Sequence, residues 1–320
     1  NRGPIDVFCF TCSRPDSRGF VRIGTSCVYE SEILAKAKTV ILEINPHVPV
    51  TFGSTHLSVE QVDHFIDCDY PLPTLAPINP TAIDEKIGQF IADLVPDHAT
   101  IQLGIGGIPN AVGQALAHKK HLGVHTEMIN DAMMQLYLKG IITGRYKSIW
   151  PGKIVGSFLY GSPELYQFAH NNPVVELHPA SVVNDPYRIG RNYRMISINT
   201  AVEVDITGQV CSESVGHSQL SGVGGAFDTH IGAQRSPGGR GILALNSTTR
   251  DGKSSKIRLE LISGAKVSIS RNDVDTVVTE FGVAKLAGKS VCERAKALIS
   301  IAHPDFRDEL LFKATKEKYI

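Results

Sequence analysis

The turn Gly104, Ile105, Gly106, Gly107 and Ile108 and the carboxylate Glu127 are the residues whose types and spacing best suit chemistry. "ATIQLG" (residues 99–104) reads as a strand, a helix-like stretch follows the turn, and "LGVHTE" (residues 122–127) reads as a second strand. Two strands joined by a crossover helix lie parallel, so their carboxyl ends open on one edge of the sheet. Ligands of open α/β sheets bind outside that edge. A glycine turn lets backbone N–H groups approach a ligand without a Cβ in the way, and the helix start behind it favours negative charge. That combination suits a phosphate, a carboxylate or a developing oxyanion. The spacing is neither a Walker loop nor a dinucleotide fingerprint, since Pro109 follows and a third glycine is missing. Read alone, the turn is equally consistent with a tight bend that binds nothing.

Three other acids compete with Glu127. Glu280 ends the apolar run "TVVTE" just before Gly282 and could share the rim. Glu203 sits on the polar face of an alternating segment and reads as a solvated or paired surface acid. Glu213 lies in a polar stretch with no positional argument. Position favours Glu127 over Glu280, the alternative for Glu127 being a cap or salt-bridge partner near the next helix. His125 falls on the same strand face as Glu127 and reads as a packed or supporting histidine. There is no G-x-S-x-G elbow and no H-E-x-x-H, and the twelve histidines are scattered, so no metal site is expected. Cys9 and Cys12 form a C-x-x-C with no second pair at zinc spacing and read as structural.

The elements that must position these groups alternate between strand and helix. Strands are expected at residues 6–10 and 39–45, with a helix near 32–38 between them. Four prolines within residues 67–80 mark a linker. Thr81 with Asp84 caps a helix whose apolar face carries Ile83, Ile87, Phe90 and Leu94, and Pro96 stops it. A further helix is expected over 131–139, closed by Gly140. From Met195 to Ser214, Ile196, Ile198, Val202, Val204 and Ile206 alternate with polar residues, the mark of a strand and turn. "SGVGGAFD" at 221–228 is a second glycine-rich stretch. Ser290 with Glu293 caps a late helix that His303-Pro304 ends.

The 320 residues are 42% hydrophobic, enough for real cores and about two domains. With 32 basic and 32 acidic residues there is no basic excess to attract nucleic acid or an anionic membrane. No apolar run approaches the roughly 20 residues that span a bilayer. Six cysteines are ordinary for a reducing compartment, and a cytoplasmic location is the expectation. Asn1 is not an initiator Met, so the numbered chain is expected to begin inside a domain.

Taken together, "LGIGGIPNAV", "HTEM", "ISINTAVEVDITGQVCSESVG", "SGVGG", "GAQRSPGG", "VVTEFGVAKLAGKS" and "IAHPDFRDELL" resemble the acetyl-CoA hydrolase/transferase family, nearest to its 4-hydroxybutyrate and butyryl-CoA:acetate CoA-transferases. The resemblance runs from "SRPDSRGF" to the last helix. It implies two similar open α/β domains with the active site between them: the remainder of the first plus linker over residues 1–80, and the second over 81–320. It implies that the opening part of the first domain lies upstream of Asn1. Carried over by motif, Glu127 of "HTEM" is the nucleophile and Glu280 of "VVTEFG" a second active-site acid. Gly104, Ile105, Gly106, Gly107 and Ile108 resemble the CoA-contacting loop, and Asn199 and Gly222 resemble positions near the CoA thioester. Family members usually carry Gln where this chain has Ala226, which bears on the acyl group accepted.

The resemblance implies ping-pong transfer of coenzyme A between an acyl-CoA and a small carboxylic acid, through a glutamyl-CoA thioester. Coenzyme A is then a substrate; no cofactor is permanently bound, and a homodimer is expected. An acyl-CoA hydrolase using the same glutamate is the nearest alternative. A non-catalytic sensor of CoA or a phosphosugar is the alternative from another class.

Overall fold

The computed structural model describes residues 3–76 and 78–320. Among the described residues its framework is mixed α/β, with one large central sheet and five smaller sheets of two or three strands, one of them a small sheet near the start of the chain. The small sheet is parallel and three-stranded: Ala37–Ile44 lies between Ile5–Cys12 and His64–Asp67. Its inner side is closed by Phe8, Cys12, Val40 and Leu42 against Val21 and Leu57. The helix expected near 32–38 is the shorter Glu30–Leu34, because the β-branched run already pairs from Ala37. Cys12 is buried, Cys9 is exposed, and neither is in a disulfide.

The central sheet has nine strands. From one edge to the other they are Gly282–Lys285, Thr276–Thr279, Arg240–Ala244, Met195–Thr200, Thr100–Leu103, Gly123–His125, Ile154–Gly156, Val175–Leu177 and Phe52–Gly53. All pairs are parallel except the first, which is an antiparallel edge. Thr100–Leu103 and Gly123–His125 are parallel neighbours, as a strand–helix–strand order requires. Later strands add first on one side of Thr100–Leu103 and then, from Met195, on the other. The chain therefore reverses direction between Thr100–Leu103 and Met195–Thr200, which leaves a crevice outside their carboxyl ends. The outermost strand, Phe52–Gly53, pairs with Val175–Leu177 and so ties the N-terminal region to the large sheet.

The two faces of the sheet differ in chemistry. Ile101, Leu103, Ile196, Ile198, Ile242 and Val278 share one core with the helices Ala82–Leu94 and Gly107–Ala115. The alternate residues Leu243 and Val277 point the other way, into a core with helix Val291–Ser300. Residues 68–81, apart from Pro77, carry no helix or strand but pack down: the Pro73 carbonyl accepts from Tyr166 Oη at 2.6 Å and the Ile78 carbonyl from Asn110 Nδ2 at 2.8 Å.

Three expectations need correction. The helix from Ala82 has its Thr81–Asp84 capping box, but Ile83 is 40% exposed. Gly88 lies against the backbone of Ala111, so the buried stripe is Ile87, Gly88, Ile91 and Ala92. The alternating segment from Met195 is two strands, Met195–Thr200 and Glu203–Asp205, and its polar side is buried, not solvated. Parallel sheets are covered on both faces, so alternation here separates two interiors. Glu203 is accordingly a buried acid, paired with Arg258 Nε at 2.6 Å. The last helix boundary also resolves into two elements: one helix ends at Ser300, and His303 caps the next, Pro304–Lys316.

Candidate active site

Glu127 lies just past the carboxyl end of strand Gly123–His125. Its backbone is pinned: the carbonyl accepts from Ser157 N at 2.7 Å and from Phe158 N at 3.1 Å. Its half-buried side chain reaches the second glycine-rich stretch, where Oε2 accepts the Gly225 N–H at 2.7 Å. Gly225 caps helix Ala226–Arg235, so the positive end of that helix faces the carboxylate. Among the described residues Oε1 has no hydrogen bond to the protein. A side chain at 225 would have to displace the ends of its neighbours. A Cβ there would stand 2.3 Å from Glu127 Oε2 and 2.4 Å from Asn184 Nδ2.

The first glycine turn is built into the framework. Gly104 N–H donates to the Ile198 carbonyl at 3.1 Å, and the Gly104 carbonyl accepts from Asn130 Nδ2 at 3.2 Å. Asn130 caps the helix Asp131–Leu138 that begins four residues beyond Glu127, which couples the turn to the Glu127 strand. Gly106 has φ +114°, a conformation that favours glycine. Gly107 opens its helix against Asp84, Ile105 is 48% exposed, and Ile108 is buried. In the first turn of that helix Pro109 has no N–H and Asn110 N–H donates to the Gly106 carbonyl at 3.1 Å, which leaves the Gly107 and Ile108 amides without intrahelical acceptors. A cavity of about 360 Å³ adjoins the turn, bounded by Ile78, Ile105, Gly106, Asn110, Asn130 and Lys139.

Asn199 is buried at the crevice, with its amide engaged inside the protein. Oδ1 accepts from Gln102 Nε2 at 3.1 Å, and Nδ2 donates to Ser197 Oγ at 3.1 Å and to Thr229 Oγ1 at 3.2 Å. This network ties the first strand of the crevice to the helix that Gly225 caps. Gly222 is exposed, with nothing within 4 Å of a Cβ placed on it. Glu280 sits at the same sheet edge but four strand positions from Glu127, roughly 19 Å at the usual ~4.8 Å per strand. Its carboxylate is held by Ser247, accepting from the amide at 2.9 Å and the hydroxyl at 2.6 Å. Burial lowers the nearby Lys256 amine below the ordinary lysine range, against the opposing pull of Glu280 and Asp84. The two acids thus share an edge and are not hydrogen-bonded to each other among the described residues.

His125 is fully packed. Nε2–H donates to the Val183 carbonyl at 2.8 Å, and Nδ1 accepts from Asn192 at 3.2 Å. Burial, with Lys147 close by, pushes its pKa down to about 3, so the ring is neutral and offers Glu127 no proton. Glu213 is buried, accepting from Ser268 Oγ at 3.2 Å. Among the described residues no cluster of three His, Cys, Asp or Glu could hold a metal ion, and no helix is long and apolar enough to cross a membrane. Sequence reasoning selected Gly222 within "SGVGG" and passed over Gly225, the glycine that touches Glu127. Asn184 was missed altogether, since "VVNDP" carries no local signal.

The family model for the acetyl-CoA hydrolase/transferase C-terminal domain matches residues 161–314. A succinyl-CoA:cyclohexane-1-carboxylate CoA transferase of Geobacter metallireducens is 47% identical over 309 residues, covering 96% of this chain and 70% of that protein. The chain belongs to the acetyl-CoA hydrolase/transferase family. A family member named 4-hydroxybutyrate coenzyme A transferase, from Clostridium kluyveri, is 46% identical and is covered over 72% of its length, with 97% of this chain aligned. The solved 4-hydroxybutyrate CoA-transferase of Porphyromonas gingivalis superposes with a TM-score of 0.88 at 40% identity, covering 98% of this chain and 76% of that one. Relatives named acetyl-CoA hydrolase are more distant: that of Candida albicans is 31% identical, covering 73% of this chain and 44% of its own length. The fold is thus that of a solved member of the family.

Proposed function

We propose that this chain is the catalytic part of an acyl-CoA:carboxylate CoA-transferase, working on acids of the acetate, butyrate and 4-hydroxybutyrate class with Glu127 as nucleophile. The observation that carries the reading is the Glu127 carboxylate itself: one oxygen is fixed by Gly225 N–H, the other is unbonded, and both lie at the carboxyl edge of the sheet. A carboxylate in water is a weak nucleophile toward a thioester. Held in line and partly stripped of water, it gains through proximity and desolvation.

Oε1 attacks the acyl carbon of an acyl-CoA, and CoA thiolate leaves a mixed anhydride. The thiolate then attacks the glutamyl carbonyl carbon. The acyl carboxylate departs with Oε1, leaving a glutamyl-CoA thioester whose carbonyl oxygen is Oε2. A second carboxylate reverses the sequence and takes the CoA. The charge falls on Oε2 only in the two steps that attack the glutamyl carbon, and there Gly225 N–H is the donor, such a donor being typically worth about 3–4 kcal/mol; in the steps at the acyl carbon the charge falls on the substrate's own oxygen. Transfer is favoured over hydrolysis because the relatives at 46–47% identity are named transferases, whereas the hydrolases are more distant.

The test is rapid-quench peptide mass spectrometry after mixing with acetyl-, butyryl- or 4-hydroxybutyryl-CoA and no acceptor. A CoA-sized adduct on the Glu127 peptide, discharged by acetate, is expected. Glu127→Gln is expected to form none and to lose transfer by at least about 10⁴-fold with an unchanged melting temperature, as when a nucleophile is removed. Near-normal transfer by that variant would sink the assignment. Steady acyl-CoA loss from the native protein without an adduct points instead to hydrolysis.

A further inference from the structure

The helix Ala226–Arg235, whose cap Gly225 holds Glu127, lacks the anchors that usually fix the start of a helix. Its buried residues are Thr229, His230, Gly232 and Ala233, none of them a large aliphatic. Its cap is a glycine, so no side chain holds its first turn, and the loop before it is open: Gly222 and Gly224 have nothing within 4 Å of a Cβ. The lower half is wedged in place, since a Cβ on Gly232 would stand 2.5 Å from Ile189 and one on Gly241 would strike His230. The first turn depends on a single residue. Thr229 N–H donates to the Gly225 carbonyl at 2.9 Å, and Thr229 Oγ1 donates to the Ala226 carbonyl at 3.2 Å.

Thr229 is held in turn by two strands of the central sheet. Its Oγ1 accepts from Asn199 Nδ2 at 3.2 Å and lies 3.0 Å from Ser197 Oγ. Both partners are tied to Gln102, whose Oε1 accepts from Ser197 Oγ at 2.8 Å and whose Nε2 donates to Asn199 Oδ1 at 3.1 Å. All four side chains are buried. A hydroxyl sealed from water costs stability unless its bonds are made, and valine would fill the same space without that demand. Van der Waals contact between small residues constrains a helix weakly in rotation and along its axis, whereas hydrogen bonds fix direction. The hydroxyl therefore connects the rigid sheet to the residue one turn above it, Gly225, whose N–H lies 2.7 Å from Glu127 Oε2.

We infer that Thr229 is a positioning residue: its hydroxyl, braced by Ser197 and Asn199, aims the Gly225 N–H at the Glu127 carboxylate. The inference rests on the reading of Glu127 as nucleophile. Thr229 touches no reacting atom. It holds the first two carbonyls of the helix, and one of them belongs to Gly225 itself. In the steps at the glutamyl carbon, negative charge collects on Oε2. A donor there is effective only when it is aligned before the charge arrives. Loosening the first turn leaves the rest of the edge in place but lets the N–H swing off Oε2. The loss then falls on kcat and leaves KM alone, the mark of an interaction that matters in the transition state.

The test compares Thr229→Val and Thr229→Ser with the native protein, timing the discharge by acetate of the CoA adduct on the Glu127 peptide, a step at the glutamyl carbon. Val keeps the shape and removes the hydroxyl. It is expected to slow discharge about 10–100-fold, the scale of a small misplacement near a reacting group, with the KM for acyl-CoA nearly unchanged. Ser keeps the hydroxyl and is expected to stay close to native. A packing role predicts the reverse order, because Val fills the site and Ser leaves a gap. A further arm repeats the Val change in Gly225→Ala protein. Since Thr229 acts through Gly225, its hydroxyl should there be worth less than about threefold, whereas independent sites would multiply their losses. Val within about threefold of native, Ser as slow as Val, or full multiplication in the double variant overturns the inference while leaving Glu127 standing. Should Val not fold, as judged by its melting curve, Ser197→Ala takes its place: it withdraws one brace from the hydroxyl and is expected to slow discharge at unchanged KM, and a native rate overturns the inference. A native protein that forms no adduct with any acyl-CoA removes the Glu127 reading itself, and this inference with it.

Discussion

The turn at residues 104–108 and the turn at residues 221–225 both bring glycines to the carboxyl edge of the central sheet, and they are held in opposite ways. The first is stitched into the framework: Gly104 is bonded through both N–H and C=O, Gly107 abuts Asp84, and Ile108 is in the core. The second is open. Gly222 and Gly224 have nothing within 4 Å of a Cβ, Val223 is 59% exposed, and Gly225 touches Glu127. One turn is a rigid cradle whose glycines serve the fold. The other is a surface loop whose last glycine holds Glu127, the proposed nucleophile. Glycine content alone does not separate the two; the partner that a Cβ would strike does, Asp84 of a helix cap at Gly107 and Glu127 at Gly225.

The largest expected effect follows from that test. Gly225 has φ −92°, so its backbone accepts alanine, and helix capping changes by only about 1 kcal/mol or less. The methyl would instead occupy the space of Glu127 Oε2 and Asn184 Nδ2. Gly225→Ala should therefore lower kcat at least about 100-fold, the scale seen when an oxyanion donor or its alignment is lost. Its melting temperature should stay within a few degrees of native. Steady-state kinetics beside a thermal melt checks this. A variant that transfers CoA normally would put both turns in the same class.

Gly107→Ala should show the reverse pattern. The added Cβ would lie 2.6 Å from Asp84 Oδ2, the oxygen that accepts from Thr81 N at 2.9 Å and Thr81 Oγ1 at 2.8 Å. The clash therefore strains a capping box as well as a contact. Alanine gains up to about 1 kcal/mol in helix propensity over glycine, and less at the first position. Overpacking costs about 1–3 kcal/mol and a disturbed cap about 1 kcal/mol more. The balance is a net loss of about 1–3 kcal/mol, readable as a lower denaturant midpoint. Full native stability would mean that Asp84 moves aside without cost and that the first turn is looser than its contacts imply.

What could be read from the sequence was what neighbours in the chain decide. The boxes Thr81–Asp84 and Ser290–Glu293 formed because each is a three-residue transaction. The parallel pairing of Thr100–Leu103 with Gly123–His125 followed from strand, helix and strand in that order. What escaped depends on groups far apart in sequence. The polar side of Met195–Thr200 is buried because Gln102 and Thr229 meet it from another strand and a helix. Glu203 is buried because Arg258 comes alongside. Gly225 could not be preferred to Gly222 while the path of its loop past Glu127, 98 residues earlier in the chain, was unknown. Asn184 lies between two short helices in a segment without periodicity, and only its proximity to Gly225 gives it meaning.

The smallest expected effect is at Gly222, and it sharpens the contrast most. With no atom within 4 Å of its Cβ position and no left-handed φ, alanine fits without strain. Removing a glycine also restricts the unfolded chain, which stabilises by about 0.4–1 kcal/mol where the native conformation allows the change. Gly222→Ala should thus leave the melting temperature unchanged or slightly raised. Any loss of turnover should appear in the KM for acyl-CoA, because a methyl here points into the open edge and not at Glu127. A fall in stability beyond about 1 kcal/mol would show that the loop packs down in solution, and a fall in kcat alone would move its contact with Glu127 upstream from Gly225. Either result erases the distinction between a cradle that serves the fold and a loop that holds Glu127; a KM effect at constant stability confirms it.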